Sequence, residues 1–147
     1  MRLPPKVIDA GAWMLENGHR AVLRLTGGRF PKRFLGMQPV ELHHVGRTSG
    51  QPRTTLLTAP IYEDDRVVLV ASKGGHPEHP QWYRNLVANP DVELEAEGRL
   101  RPMRARTASP EEKAELWPTI TAAYKGYGDY QRSTDRDIPV VILEPRP

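Results

Sequence analysis

The chain has 147 residues, 38% of them apolar and 27% charged, with a mean hydropathy of -0.58, the composition of a globular domain with one core. Cysteine is absent, which excludes disulfides, thiolate metal sites and cysteine nucleophiles and fits a reducing cytoplasm. Lysine and arginine number 21 against 18 aspartate and glutamate, a net charge of +3, too small a surplus to argue for nucleic acid.

Residues 7–25 read as an amphipathic helix, with Val7, Met14, Ala21, Val22 and Leu25 at spacings near 3.6. Arg20 and Arg24 give it a basic side suited to an anionic membrane surface. The plainer reading packs the helix on the core. Met1–Lys6 lacks the apolar stretch of a signal peptide, and no apolar run approaches the ~18 residues that span a bilayer. The expectation is a cytoplasmic protein that is not exported, with peripheral contact to the inner membrane face as a second expectation for the helix.

After the Gly27–Arg33 connector, Val40–Val45 alternates as a strand. Thr54–Tyr62 is β-rich, Glu63-Asp64-Asp65 is a turn, and Arg66–Ala71 is a nearly continuous apolar strand. Pro80–Ala88 reads as a short helix that stops before Asn89-Pro90, because proline pushes the preceding residue out of the helical region. Val92–Ala96 and Arg99–Ala105 form a hairpin about Glu97-Gly98, and Pro102 implies an edge or a bulge. On that second strand Arg99, Arg101, Arg104 and Arg106 read as a solvated basic edge. Ser109-Pro110-Glu111-Glu112 carries a helix cap, a first-position proline and a capping box. The helix runs to about Tyr124 with a kink or second start at Pro118. A glycine- and tyrosine-rich loop follows, and Ile138–Glu144 is a last strand. The order implies an α+β fold around a small antiparallel barrel, one domain with residues 1–39 as helix and connector and 40–147 as the barrel.

Four stretches carry candidate chemistry. Gly46-Arg47-Thr48-Ser49-Gly50-Gln51-Pro52-Arg53 joins two strands. Its glycines expose backbone N–H groups, its hydroxyls donate, and its arginines can fork onto phosphate or carboxylate; an ordinary hairpin loop explains it equally well. Ala71-Ser72-Lys73-Gly74-Gly75 puts a hydroxyl and a cation at the end of a buried strand. His76-Pro77-Glu78-His79-Pro80-Gln81-Trp82-Tyr83-Arg84-Asn85 invites a metal reading together with His43 and His44. Adjacent histidines on a strand point to opposite faces, however, and no metal motif accompanies them, so no metal is expected. Tyr124, Tyr127 and Tyr130 recur at a spacing of three, as rings that could cover a flat substrate or simply lie at the surface.

In series these stretches resemble the deazaflavin-dependent nitroreductases of actinobacteria, which are similar to quinone reductases that use coenzyme F420. The resemblance runs through Gly46–Arg53, Ala71–Gly75, Pro80-Gln81-Trp82-Tyr83-Arg84-Asn85-Leu86 with Ala88-Asn89-Pro90, Glu111-Glu112-Lys113 with Leu116-Trp117-Pro118, and Tyr130-Gln131 with Thr134-Asp135-Arg136 and Ile138-Pro139. It covers the chain from about Val40 onward.

The resemblance implies a split β-barrel of the flavin-reductase and pyridoxamine-oxidase kind, with a deazaflavin in a groove. The coenzyme's tail carries a phosphodiester and glutamate carboxylates, so Arg47, Ser49, Gln51 and Arg53 become its clamp, and Thr48, Thr54 and Thr55 join them as implied cofactor-binding residues. Val70, Ala71, Ser72 and Lys73 would follow the ring, and Gln81, Trp82, Tyr83 and Asn85 would close the other side. Ser72, Tyr127 and Tyr130 are the implied catalytic groups, and Tyr124, Tyr127 and Tyr130 would border the acceptor, a quinone or nitroaromatic compound. Tyr127→Ala is therefore expected to raise the apparent KM for an acceptor more than it weakens coenzyme binding. Two departures touch the groove: Thr48 stands where the family often has lysine, and Thr54–Pro60 differs from the usual segment. The alternatives are a barrel of the same type using flavin mononucleotide (FMN), and a non-catalytic protein that binds a cofactor or apolar ligand.

Overall fold

The computed structural model describes residues 37–147, so the expected first helix and its connector lie outside the described residues. From Met37 onward the chain runs through seven strands and three helices. They are β1 (Gln38–Val45), β2 (Pro52–Ala59), β3 (Ile61–Tyr62), β4 (Val67–Val70), α1 (Gln81–Ala88), β5 (Asp91–Ala96), β6 (Arg99–Thr107), α2 (Pro110–Ala123), α3 (Gly126–Arg132) and β7 (Val140–Pro145), with a short 3-10 turn at Lys73–Gly75. The strand expected over Thr54–Tyr62 divides at Pro60, which has no N–H to carry the ladder onward.

All pairings are antiparallel, in the order β2-β1-β5-β6-β7-β4-β3. The sheet curls until β2, at one margin, lies against β4 near the other. This is the expected split barrel in its half-open form. Alternation along each strand sends one set of side chains into the curl. Val40 and Leu42 of β1, Leu94 of β5 and Met103 of β6 are almost wholly buried there, and Trp82 and Leu86 of α1 pack against them. Burying each such side chain contributes about 1.5–3 kcal/mol before chain entropy is counted.

β4 is buried on both faces. Val67 and Leu69 enter this inner core, while Val68 and Val70 enter a second one closed by Leu116 and Ile120 of α2 and Tyr127 of α3. A strand covered on both sides needs the continuous apolar run that Val67–Val70 supplies. Ser109 Oγ accepts the Glu112 N–H at 3.1 Å and Glu112 Oε1 accepts the Ser109 N–H at 2.9 Å, so the expected capping box starts α2. That helix runs on past Pro118 without a second start.

Two expectations are corrected. β6 lies inside the sheet, between β5 and β7, and is not a solvated edge. Pro102 is accommodated because the pairing with β7 begins only at Met103. Three of its four arginines are engaged: Arg101 is buried and donates to the carbonyls of Glu63 and Asp64, Arg104 pairs with Asp91, and Arg106 bridges Glu112 and Glu144. The second correction is the tyrosine segment, which is helical from Gly126 to Arg132 rather than a loop. Three tyrosines at helical spacing stack on one another and on the second core, so burial outweighs the poor helix propensity of Gly126 and Gly128.

Candidate functional site

The β1–β2 hairpin brings the first candidate stretch to one end of the barrel. Its last pair is Val45 with Pro52, so six residues must reverse the chain. The Gly46 N–H donates to the Gln51 carbonyl and the Gly50 N–H to the Gly46 carbonyl, both at 2.9 Å. Gly50 sits at φ +69°, where a side chain would be strained. Ser49 Oγ accepts the Gln51 N–H at 3.2 Å. The reversal leaves Arg47, Thr48 and Ser49 exposed on its rim.

Helix α1 faces this loop. Its buried residues Trp82, Asn85 and Leu86 lie on one side of the helix and seat it on the sheet. Between hairpin and helix is a cleft of about 470 Å³. Arg47, Thr48, Ser49, Arg53, Thr54 and Thr55 line it from the hairpin, and Gln81, Trp82 and Asn85 from the helix. One wall thus offers two guanidinium groups and several hydroxyls, while the other offers an indole and two amides. An elongated anion with a planar, partly apolar head matches those walls.

A hydrogen-bonded chain runs beneath the cleft. Arg47 donates both its backbone N–H, at 3.1 Å, and its Nη1, at 2.9 Å, to Asn85 Oδ1. The other end of that amide, Nδ2, lies 3.2 Å from His44 Nδ1, and His44 Nε2 lies 2.9 Å from Thr55 Oγ1. Burial, reinforced by the Arg53 and His43 charges, holds the His44 pKa below its ordinary value.

The remaining candidates are placed differently. Gln51 is exposed behind the loop, and Tyr83 turns to Thr107, with hydroxyl oxygens 2.8 Å apart, and to the edge of His79. Val70, Ala71, Ser72 and Lys73 follow the end of β4 outside the cleft lining. Val70 faces the second core and Ala71 the inner one, and Ser72 is 8% exposed. Lys73 takes φ +45°, a strained value for a residue with a side chain. Arg136 ties this segment down, its Nη1 donating to the Ala71 carbonyl at 3.2 Å, Nη2 to the Ser72 carbonyl at 2.7 Å and Nε to the His76 carbonyl at 2.7 Å. Burial lowers the Arg136 pKa, and a desolvated guanidinium is held by such charge-assisted bonds.

Tyr124, Tyr127 and Tyr130 do come together, but on the far side of β4 from the cleft lining. The hydroxyls of Tyr124 and Tyr130 are 3.0 Å apart, and the ring centroids of Tyr124 and Tyr127 lie at 5.1 Å, edge to face. Tyr127 is 6% exposed, and its hydroxyl donates to Met37 Sδ at 3.4 Å. Burial pushes its pKa up to about 12, and burial together with the Tyr124 contact also raises that of Tyr130.

Sequence reasoning placed Gly46 in the candidate loop but missed His44 among the cleft residues. The signal for His44 lay in the alternation Val40, Leu42, His44, which sends it to the inner face, where an imidazole must find polar partners.

A family model described as F420H(2)-dependent quinone reductase matches residues 15–145. The F420H(2)-dependent quinone reductase Rv1261c of Mycobacterium tuberculosis is 41% identical over 132 residues, which cover 87% of this chain and 88% of that protein. Among solved structures, the F420-H2 dependent reductase FDR-A is 39% identical, with a TM-score of 0.65 over 72% of this chain and 93% of its own. A FAD-binding protein of Mesorhizobium loti, 14% identical with a TM-score of 0.53 over 86% of this chain and 88% of its own, shares the fold. The family model over most of the chain and the 41% identity to Rv1261c lead to one conclusion: the chain belongs to the F420H(2)-dependent quinone reductases, oxidoreductases that work with coenzyme F420.

Proposed function

We propose that the chain transfers a hydride from reduced coenzyme F420 to a quinone, a nitro compound or a similar planar acceptor. One observation carries the assignment of the cofactor's place: the cleft between hairpin and α1 pairs the Arg47 and Arg53 cations with the Trp82 indole. Arg47 and Arg53 would neutralise the phosphodiester and carboxylates of the tail, with Thr48, Ser49, Thr54 and Thr55 supplying hydroxyl donors. Asn85 holds Arg47 in place for that contact. Gln81 and Trp82 would flank the ring and exclude water from one face, and the Ser72–Lys73 segment would meet it from the end of β4.

Coenzyme F420, when bound in reduced form, supplies the hydride, and the protein supplies orientation, charge and dryness. The acceptor gains the hydride and a proton from solvent. A Ser72 hydroxyl reaching the acceptor oxygen would stabilise the developing anion. Tyr124 and Tyr130, half-buried at the second core, would border the acceptor past the end of β4, where α3 packs on the Lys73–Gly75 turn, and Tyr127 would support them from beneath. FMN remains the alternative cofactor for a barrel of this type.

The cofactor-binding unit would begin with β1 at Gln38 rather than at residue 40, and the residues ahead of it would make peripheral contact with the inner membrane face. No described helix is long and apolar enough to cross a membrane. Titration with oxidised coenzyme F420 and separately with FMN, followed through ligand and tryptophan fluorescence with Trp82 as the residue beside the cleft, tests the cofactor reading. Saturable, selective binding of the deazaflavin is expected, followed by acceptor-dependent oxidation of its reduced form with quinones and nitroaromatics. Selective FMN binding would overturn it. Co-sedimentation with anionic vesicles, lost on removing residues 1–30, tests the peripheral contact.

A further inference from the structure

We propose that His44, as the neutral Nε2–H tautomer, is a positioning residue that fixes the Asn85 amide and through it the Arg47 guanidinium, so that a proton on His44 releases the tail clamp. This rests on the cofactor reading above for what Arg47 grips, but the relay itself is a property of the free protein.

The donors decide the orientation of every group. Both Arg47 groups that meet Asn85, the backbone N–H and Nη1, are donors and nothing else. The Asn85 atom facing them must therefore be Oδ1. Its partner Nδ2, also only a donor, then faces His44 Nδ1 at 3.2 Å, and His44 Nδ1 has to be an acceptor. The imidazole proton consequently sits on Nε2, which donates to Thr55 Oγ1 at 2.9 Å. Thr55 lines the cleft, and with its oxygen accepting from His44 its own proton is free to donate elsewhere.

A second proton on His44 would turn Nδ1 into a donor facing the Asn85 Nδ2 donor. The amide would have to rotate, presenting Nδ2 to two Arg47 donors. Arg47 cannot keep both bonds in that arrangement, so charge on His44 and a fixed Arg47 exclude one another. The surroundings oppose that charge: Arg53 of β2 pairs directly with His44 across the ladder, His43 adjoins it on β1, and Arg47 lies beyond the amide. Helix α1 presents the uncharged Asn85, while its Arg84 influences His79 instead. His44 is 5% exposed and Asn85 6%, so water does not readily replace a lost bond.

The test uses the full chain and His44→Gln, whose amide can accept from Asn85 yet cannot take a proton, with His44→Ala as the broken relay. In ligand-free protein, imidazole nitrogen shifts should show the Nε2–H tautomer at pH 7.5. The Arg47 Nε–H signal should be sharp there and broaden as pH falls below the ordinary imidazole range, in the wild type but not in His44→Gln. The Kd for oxidised coenzyme F420 should weaken about tenfold more between pH 7.5 and 5 in the wild type than in His44→Gln, the loss expected for one charge-assisted contact. His44→Ala should bind weakly throughout and show no excess pH slope.

An Nδ1–H tautomer at pH 7.5 would overturn the proposal, as would an Arg47 signal indifferent to pH or the same pH slope in wild type and His44→Gln. Failure of the wild type to bind coenzyme F420 at pH 7.5 would instead count against the cofactor reading, with the ligand-free measurements still deciding the relay.

Discussion

Asn85 Oδ1 holds Arg47 twice, through the backbone N–H at 3.1 Å and through Nη1 at 2.9 Å. One amide on a helix thus sets both the path of the hairpin loop and the direction of its first cation. Asn85→Asp keeps the acceptor for Arg47 but places a carboxylate against His44 Nδ1. The mutant should raise the His44 pKa from its depressed value, since a neighbouring anion favours the imidazolium. Histidine resonances followed against pH would show it. An unchanged His44 titration would mean that the amide does not touch the ring in solution.

Tyr127→Ala, expected from sequence to act on the acceptor, meets a different physical situation in the fold. The ring is 6% exposed within the second core, and its removal should cost about 3–5 kcal/mol of stability. Tyr127→Phe isolates the hydroxyl and should cost about 1–2 kcal/mol, the worth of its contacts with Met37 Sδ and the Thr58 side chain. Urea unfolding of both variants separates packing from chemistry. If Tyr127→Phe raises the acceptor KM with stability and coenzyme Kd unchanged, the hydroxyl also acts on the acceptor.

Gly75 is held in place by helix α3. It adopts φ +82°, and a Cβ on it would stand 2.2 Å from Ser133 Oγ and 3.0 Å from the Tyr130 carbonyl oxygen. Gly75→Ala should destabilise the protein by roughly 2 kcal/mol or more, through left-handed backbone strain and displacement of α3. The measured change in unfolding midpoint, compared with Gly50→Ala, separates the two causes, because Gly50 shares the positive φ but has open space around it.

The capping box carries a pH signature. Hydrogen bonds from Arg106, and then from the Ser109 N–H, hold the Glu112 carboxyl down to about 2. A carboxylate with a depressed folded pKa adds stability above its unfolded value near 4.5, and that stability is lost as pH falls toward the folded value. The start of α2 should therefore loosen between about pH 4.5 and 2, and Glu112→Gln should flatten that window. Ser109→Ala should cost about 1 kcal/mol at neutral pH. Thermal unfolding across the acid range reads both effects.

How legible all this was in the sequence depended on whether a signal was local. The capping box at Ser109–Glu112, the stop before Pro90 and the apolar run Val67–Val70 each act within a few residues and were readable. The place of β6 was not, because its arginines find Asp91, Glu112, Glu144 and two carbonyls only once the sheet is assembled. The helix at Gly126–Arg132 was hidden for a related reason: its glycines argue against helix, and the core that overrides them comes from α2, β4 and β7. Within the site, the Arg47–Arg53 hairpin could be read from residue types. The linking of Arg47 to Asn85 and His44 joins positions 38 and 41 residues apart, which no spacing rule anticipates.

Strand β4 is a party wall. Its alternate side chains belong to two separate interiors, one behind the cleft and one beneath the tyrosines. The chain can therefore be renovated one room at a time: new side chains on the α2–α3 side leave the hairpin and α1 contacts standing, and a new hairpin leaves the helices standing. A change in the wall itself, at Val67–Val70, or along its neighbour β7, where Val141 and Leu143 enter one interior and Val140 and Ile142 the other, is felt in both rooms.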